Sequence, residues 1–430
     1  MHKFLLSLAF SLVAAASFAQ LTPQQWQADI AFLKKELPAR HPDFFKRITP
    51  EMWNTALDGI AAGAEQKSDL RVALELQTAV ARAVDAKTRL EFVQLLQTNK
   101  VIPIAFGWYA DGLYASATVQ KFEPVLGKRI RAINGVDPET ALEKLNIFVG
   151  SDNQAGLKRD APMWLRFPLA FRLAGVSRND SLALEVENPN GETATVYVYP
   201  PDMRKAGRSD MMPAQLSPKN PDLRWQPVSI EELYKYLWME EQQIFFLQYN
   251  ICLSREMAEA RGDMENTGQL PLFQPVVDSL LQIMRAYPDA RFFLDLRFNR
   301  GGLPEDGIAL AKRLGAEKEI NKPGRLFVAI NGYTAPAPTR IAQAFRQFTQ
   351  AQLIGEPTGE RPVYTGEEDK FQLPNSKVFV VHPRTLLDAP KNTKDALYPD
   401  VLLPLQFADF REGRDPVLDY VRQLQPGSVK

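Results

Sequence analysis

Leu294-Asp295-Leu296-Arg297-Phe298-Asn299-Arg300-Gly301-Gly302 is the stretch on which the reading of this chain turns. The apolar run over residues 291–296 has the length of a buried strand, and the polar turn after it closes on two glycines. Glycines in that position let backbone N–H groups face a cleft, where such donors can hold a developing oxyanion during acyl transfer. The same pair can equally serve as a tight turn with positive φ. Asp295 and Arg297 read as an ion pair or as turn hydrogen bonds, worth about 0–1 kcal/mol if exposed.

Outward from this stretch, strands and helices alternate. Strands are expected over 243–249, 326–330 and 352–354, helices over 273–285, 304–314 and 339–348, and a hairpin around Pro374-Asn375. The alternation predicts a layered α/β core over 229–430. Residues 201–228, rich in Pro, Ser, Asp and Lys, read as a linker. Residues 99–200 read as strands, with hairpin signals at Asp111-Gly112 and Asn188-Pro189-Asn190-Gly191 and a short helix over 140–145. Their strand–turn–helix order resembles a PDZ domain, a module that adds peptides to a sheet edge. A β-rich insertion with no ligand fits the same pattern. Residues 20–98 read as helices begun by Thr22-Pro23, Thr49-Pro50 and Ser68-Asp69. His41, before Pro42, reads as a capping or packing group.

Residues 1–19 have the form of a secretory signal. Lys3 precedes an apolar run over 4–16, and Ser17-Phe18-Ala19 supplies small residues for cleavage after Ala19, which implies a periplasmic or secreted protein. The run is short for a span, and no later segment reaches spanning length, so no stable membrane span is expected. Lysine plus arginine and aspartate plus glutamate both number 51, so no basic excess points to nucleic acid. With 430 residues and 45% apolar content, the chain can bury more than one core. Cys252 is the single cysteine and reads as a small buried hydrophobe. The histidines are His2, His41 and His382, an inventory that supports neither thiol catalysis nor a His-rich zinc site; no metal and no cofactor are expected.

Further segments fall into a recognisable order: Asp85-Ala86-Lys87-Thr88-Arg89-Leu90, Asn331-Gly332-Tyr333-Thr334-Ala335-Pro336-Ala337, Gly355-Glu356-Pro357-Thr358-Gly359, Tyr398-Pro399-Asp400-Val401 and Gly413-Arg414-Asp415-Pro416-Val417-Leu418. With the opening stretch, they resemble the motifs of the tail-specific (carboxyl-terminal processing) serine peptidases over most of the mature chain, best after residue 240. The resemblance implies an α/β fold with a crotonase-like layered core, an N-terminal helical region and a β-rich PDZ-like middle domain. It also implies cleavage of peptides near a C-terminus by a serine nucleophile.

At the catalytic positions the chain departs from that pattern. Aligning Thr334-Ala335-Pro336-Ala337 with the family's Thr-x-Ser-Ala puts Pro336 at the nucleophile, and proline has no nucleophilic group. Lys87 falls at the histidine that serves as base in the Ser-His-Glu branch. The lysine base of the other branch falls near Arg361, whose guanidinium stays protonated, and its assisting glutamine falls at Thr365. Thr334 and Thr339 flank Pro336, and Lys87 could act as a base if its pKa were depressed. A shift of two or three residues would nevertheless carry a hydroxyl away from the reacting separation of about 3–3.5 Å. The simpler expectations are that Thr334 packs in the turn, Thr339 caps the following helix and Lys87 is solvated. Gly301 and Gly302 then shape a turn or hold a ligand carbonyl. The expected function is an exported, non-catalytic homologue that binds a peptide or unfolded protein tail. The alternatives are a peptidase with a threonine nucleophile and an apolar small-molecule binder, the latter allowed by resemblance to the repeats of interphotoreceptor retinoid-binding protein.

Overall fold

Thr22 opens the first helix with a reciprocal cap: its hydroxyl accepts from the Gln25 N–H, and the Gln25 side chain accepts from the Thr22 N–H. Helix α1 (Pro23–Arg40) buries Trp26, Ile30, Leu33 and Leu37 on one face and ends at His41, whose ring packs edge-on against Phe44. Thr49 caps α2 (Pro50–Ala62), and α3 (Asp69–Ala83) completes the helical layer. The computed structural model describes residues 20–46, 48–83, 87–92, 95, 100–188, 190–201, 211–214, 233–262, 267–299, 301–362, 368–385 and 394–424. The expected signal segment 1–19, most of the expected linker, Asp85, Ala86, Arg300 and Thr365 lie outside the described residues.

A short strand, β1 (Arg89–Glu91), leads into the middle region. There β2 (Ile104–Tyr109), β3 (Gly112–Val119), β4 (Arg129–Ile133), β5 (Leu182–Glu187) and β6 (Thr193–Val198) pair antiparallel in chain order, and β7 (Met211–Pro213) joins β3. The Asp111-Gly112 turn joins β2 to β3 as the sequence predicts. Three helices lie between β4 and β5: α4 (Pro138–Val149), α5 (Gln154–Trp164) and α6 (Pro168–Leu173). The sequence reading expected only the first of them. In α5, Gly156 and Pro162 interrupt the apolar positions Leu157, Ala161 and Trp164, which hides its period.

The C-terminal core is built on a second sheet. Strands β8 (Tyr234–Met239), β9 (Ile244–Tyr249), β10 (Arg291–Asp295), β11 (Leu326–Ile330) and β12 (Gln352–Gly355) alternate with α7 (Arg255–Ala260), α8 (Gln274–Ala286), α9 (Glu305–Ala316) and α10 (Ala337–Phe348). The hairpin strands β13 (Glu368–Gln372) and β14 (Phe379–Pro383) follow, then β15 (Val401–Leu402), α11 (Phe407–Glu412) and α12 (Pro416–Gln423). The sheet order is β15-β12-β11-β10-β9-β8, all parallel except β8. Both faces are covered, so the strands are apolar throughout rather than alternating. Phe292 and Leu294 enter the same apolar cluster as α8–α10, whereas Phe293 enters one that includes Val417, Leu418 and Val421 of α12. Each buried side chain of that size contributes roughly 1.5–3 kcal/mol.

Segments far apart in sequence meet in a third sheet, β1-β14-β13. The turn of its hairpin rests on Asp29 of α1, whose carboxylate accepts from the Asn375 N–H at 2.8 Å and the Ser376 N–H at 2.7 Å. One apolar cluster runs through the N-terminal helices, the middle sheet and this hairpin, from Trp26 through Ile130 to Val380. Among the described residues no helix is long and apolar enough to cross a membrane.

Candidate functional site

In a parallel sheet the loops leaving the strands collect at one edge, where α/β proteins bind ligands. Here β9, β10, β11 and β12 send to that edge the segments beginning at Asn250, Leu296, Asn331 and Glu356. They pack on one another through backbone and side-chain bonds. Thr334 Oγ donates to the Leu296 carbonyl at 3.0 Å and accepts from the Asn331 N–H at 3.0 Å, so the second turn is tied to the first.

The turn after β10 is built on buried charge. Arg297 reaches both Asp295 oxygens (2.9 and 2.8 Å) and both Asp415 oxygens (2.8 and 2.6 Å). Asp415 also caps α12 by accepting from the Val417 and Leu418 N–H groups. All three side chains are almost inaccessible. This corrects the expectation of an ordinary exposed pair: Arg297 is enclosed between two carboxylates, one supplied from 118 residues away. Burial by itself would raise the Asp415 pKa, but the Arg297 charge and the helix N–H groups bring it below the usual carboxylate value.

Gly301 and Gly302 have φ of 100° and 105°, a region that strains any other residue. The Gly301 N–H donates to Asn299 Oδ1 at 2.8 Å, and Asn299 Nδ2 donates to the Tyr249 carbonyl at 2.7 Å. Gly302 lies against the chain after β9: a Cβ there would stand 2.2 Å from the Cys252 carbonyl oxygen. Cys252 is buried beside Asn299, and burial pushes its thiol up to about 12, so it stays protonated.

Pro336 is the N-cap residue of α10, and its Cδ lies 4.0 Å from where a Gly301 Cβ would be. The structure thus brings together the glycine turn and the residue aligned with the nucleophile. Thr334 is fully buried and Thr339 almost so. Thr339 does not cap α10, contrary to expectation. It sits inside the first turn, and its hydroxyl donates back to the Thr334 carbonyl at 2.8 Å. Pro336 holds the cap position and supplies no side-chain cap.

Lys87 is not solvated as expected. Its side chain is 11% exposed and its ammonium lies 3.6 Å from Glu360, which Arg159 of α5 approaches at 3.6 Å from another direction. Arg159 also makes a two-point contact with Asp160 (2.7 and 2.6 Å) and donates to the Gly332 carbonyl at 2.9 Å. Burial raises the Glu360 carboxyl above its ordinary value, with Lys87 and Arg159 offsetting part of the rise, and its Oε2 is buried without a hydrogen bond. Arg361, one residue on, is exposed.

A cleft of about 490 Å³ opens between the middle sheet and these loops, walled by Trp108, Tyr109, Phe298, Tyr333 and Phe410 and bearing Arg159, Asp160, Glu356 and Glu360. Neither Gly301 nor Gly302 lines it, whereas Asn299 does. Of these residues the sequence reading had named none as a site residue. Glu356 stood in a quoted motif and Glu360 just beyond it, while Arg159 and Asp160 depend on a helix whose period is hidden. Among the described residues no group of three or more His, Cys, Asp or Glu side chains is placed to hold a metal.

No family model matches the sequence, and a search of characterised proteins gives no match. Solved structures do match. Mature CPAF in complex with lactacystin aligns over 93% of this chain and 98% of its own, with a TM-score of 0.57 and 15% identity. A second structure of mature CPAF gives 94%, 97%, 0.53 and 15% for the same quantities. The photosystem II D1 C-terminal processing protease aligns over 91% of this chain and 98% of its own, with a TM-score of 0.38 and 12% identity. The chain therefore has the fold of mature CPAF along nearly its whole length, with a helical region, a β-rich middle and a layered α/β core.

Proposed function

We propose that this chain is an exported, non-catalytic homologue of the tail-specific serine peptidases that holds peptide or unfolded protein tails in its cleft. The observation that carries this reading is the state of the turn before α10. Pro336, which the sequence aligns with the nucleophile, stands at the start of α10, and the hydroxyls beside it, Thr334 and Thr339, are buried and donate to backbone carbonyls. Acyl transfer needs a hydroxyl whose proton a base can take. Neither threonine offers one, since their hydroxyls donate to the Leu296 and Thr334 carbonyls, and the Lys87 ammonium lies against the Glu360 carboxylate at 3.6 Å. The Gly301 N–H, engaged by Asn299, serves the turn.

Retention of the cleft supports binding. Its volume lies in the range of small-ligand and side-chain sites, and its walls mix aromatic rings with charged groups. Those charges disfavour an apolar small molecule, since burying Arg159, Asp160 and Glu356 beneath a ligand with no polar atoms costs free energy.

A serine-reactive acylating probe tests the reading directly. No covalent labelling of the mature protein is expected. Labelling that disappears in Thr334→Ala or Thr339→Ala would overturn it. Tail peptides should raise the melting temperature without being cleaved; a peptide at about 100 times its dissociation constant stabilises by about 2.7 kcal/mol. Export is checked by mass spectrometry of the protein's N-terminus, expected at Gln20.

A further inference from the structure

The charged groups around the cleft are unequally satisfied. Asp160 is matched by Arg159 and Glu360 by Lys87. Glu356 also lines the cleft, and among the described residues no lysine, arginine or histidine nitrogen lies within 4.0 Å of its carboxylate. Arg297 acts on it at a distance, but that guanidinium is already enclosed between Asp295 and Asp415, a group of three that carries one net negative charge. The other nearby cation, Lys158, lies over the Trp108 ring with its ammonium 4.6 Å from the ring centre. Burial pushes the Glu356 carboxyl above its usual value, with Arg297, the Leu405 N–H and Lys158 offsetting part of the rise. Aromatic rings stand close by: Trp108 and Tyr109 end β2, and Tyr109 packs on Phe410 with ring centres 5.0 Å apart.

A carboxylate without an ion pair, inside a cleft with aromatic walls, suits a cation with an apolar stem. The ring faces attract the charge, the carboxylate neutralises it and the walls cover the methylenes. Lys158 over Trp108 shows that one of these rings already accepts an ammonium group. We propose that the cleft selects peptides through a basic side chain, lysine or arginine, whose charge meets Glu356 between Trp108, Tyr109 and Phe410. This rests on the peptide-binding reading above and adds the class of residue recognised.

Calorimetric titration of the mature protein tests it with pentapeptides acetylated at the N-terminus and identical except for a central lysine, arginine, norleucine or glutamate. The lysine and arginine peptides should bind at least about tenfold more tightly than norleucine, with glutamate the weakest. Glu356→Gln should bring the lysine-to-norleucine ratio close to one, its melting temperature confirming the fold. Equal affinities for lysine and norleucine, or a ratio unchanged in Glu356→Gln, would overturn the proposal and leave peptide binding standing. n-Butylammonium, titrated against n-butanol, separates the two readings. If the amine binds through Glu356 and no peptide does, the cation site stands and the peptide reading falls. If neither binds, both fall.

Discussion

Two charged clusters lie at the same edge of the core sheet, and they are finished to different degrees. In Asp295–Arg297–Asp415 each carboxylate oxygen accepts from Arg297, and backbone N–H groups add to the set. In Lys87–Glu360–Arg159–Asp160 the contacts to Glu360 are 3.6 Å long, and one of its oxygens is buried without a hydrogen bond. The first cluster joins β10 to α12 and is out of reach of solvent. The second lies by the cleft, which Arg159, Asp160 and Glu360 line. The residue types are alike; the two clusters differ in how completely their oxygens are hydrogen-bonded.

The largest effect should come from the saturated cluster. Arg297→Met leaves two buried carboxylates facing each other and should cost about 3–5 kcal/mol in urea unfolding. A loss below about 1 kcal/mol would show that the cluster is less closed than its distances imply. Next comes the glycine turn. Gly302→Ala drives a Cβ toward the Cys252 carbonyl oxygen in a left-handed conformation and should cost about 1–3 kcal/mol. Gly301→Ala, with Pro336 Cδ 4.0 Å away as its nearest neighbour, should cost less. Equal losses would mean that φ alone sets the cost.

The open cluster should respond more weakly. Lys87→Met removes one of two cations near Glu360 and should cost about 1–3 kcal/mol at neutral pH, fading in acid as Glu360 takes up a proton. The smallest effect is also the most discriminating, because the two clusters have opposite pH dependence. The folded Glu360 carboxyl lies above its unfolded value of 4.5. Its contribution is fully present below that value and is lost as pH rises through the folded pKa. Asp415 lies below its unfolded value of 3.8, so its contribution is present above that value and is lost as pH falls through the folded pKa. Urea midpoints of the wild type and Glu360→Gln between about pH 3 and 7 should diverge, the wild type losing ground to the variant as pH rises. A constant difference would contradict the burial of Glu360.

Much of the frame was legible in the sequence because it is local. Thr22-Pro23, Thr49-Pro50 and Asp111-Gly112 each mark an element boundary through a cap or turn whose partners lie within a few residues. The glycine pair and Pro336 were likewise readable, and their proximity follows from parallel strands ending at one edge. The cleft was less legible. Arg159 sits on a helix interrupted by Gly156 and Pro162, and Lys87 was expected in solvent because nothing near it in sequence announces Glu360, 273 positions away.

The sequence alone determined the alternation of strands and helices in the C-terminal core, the apolar character of its strands and the absence of a serine at the turn before α10, since each depends on residue type and short-range spacing. The tertiary structure decided which charges are paired. Asp415 closes on Arg297, Asn299 takes up the Gly301 N–H and Glu356 faces the cleft without an ion-pair partner among the described residues because folding brings distant loops to one sheet edge. There burial strengthens every charge interaction and raises the cost of any left incomplete.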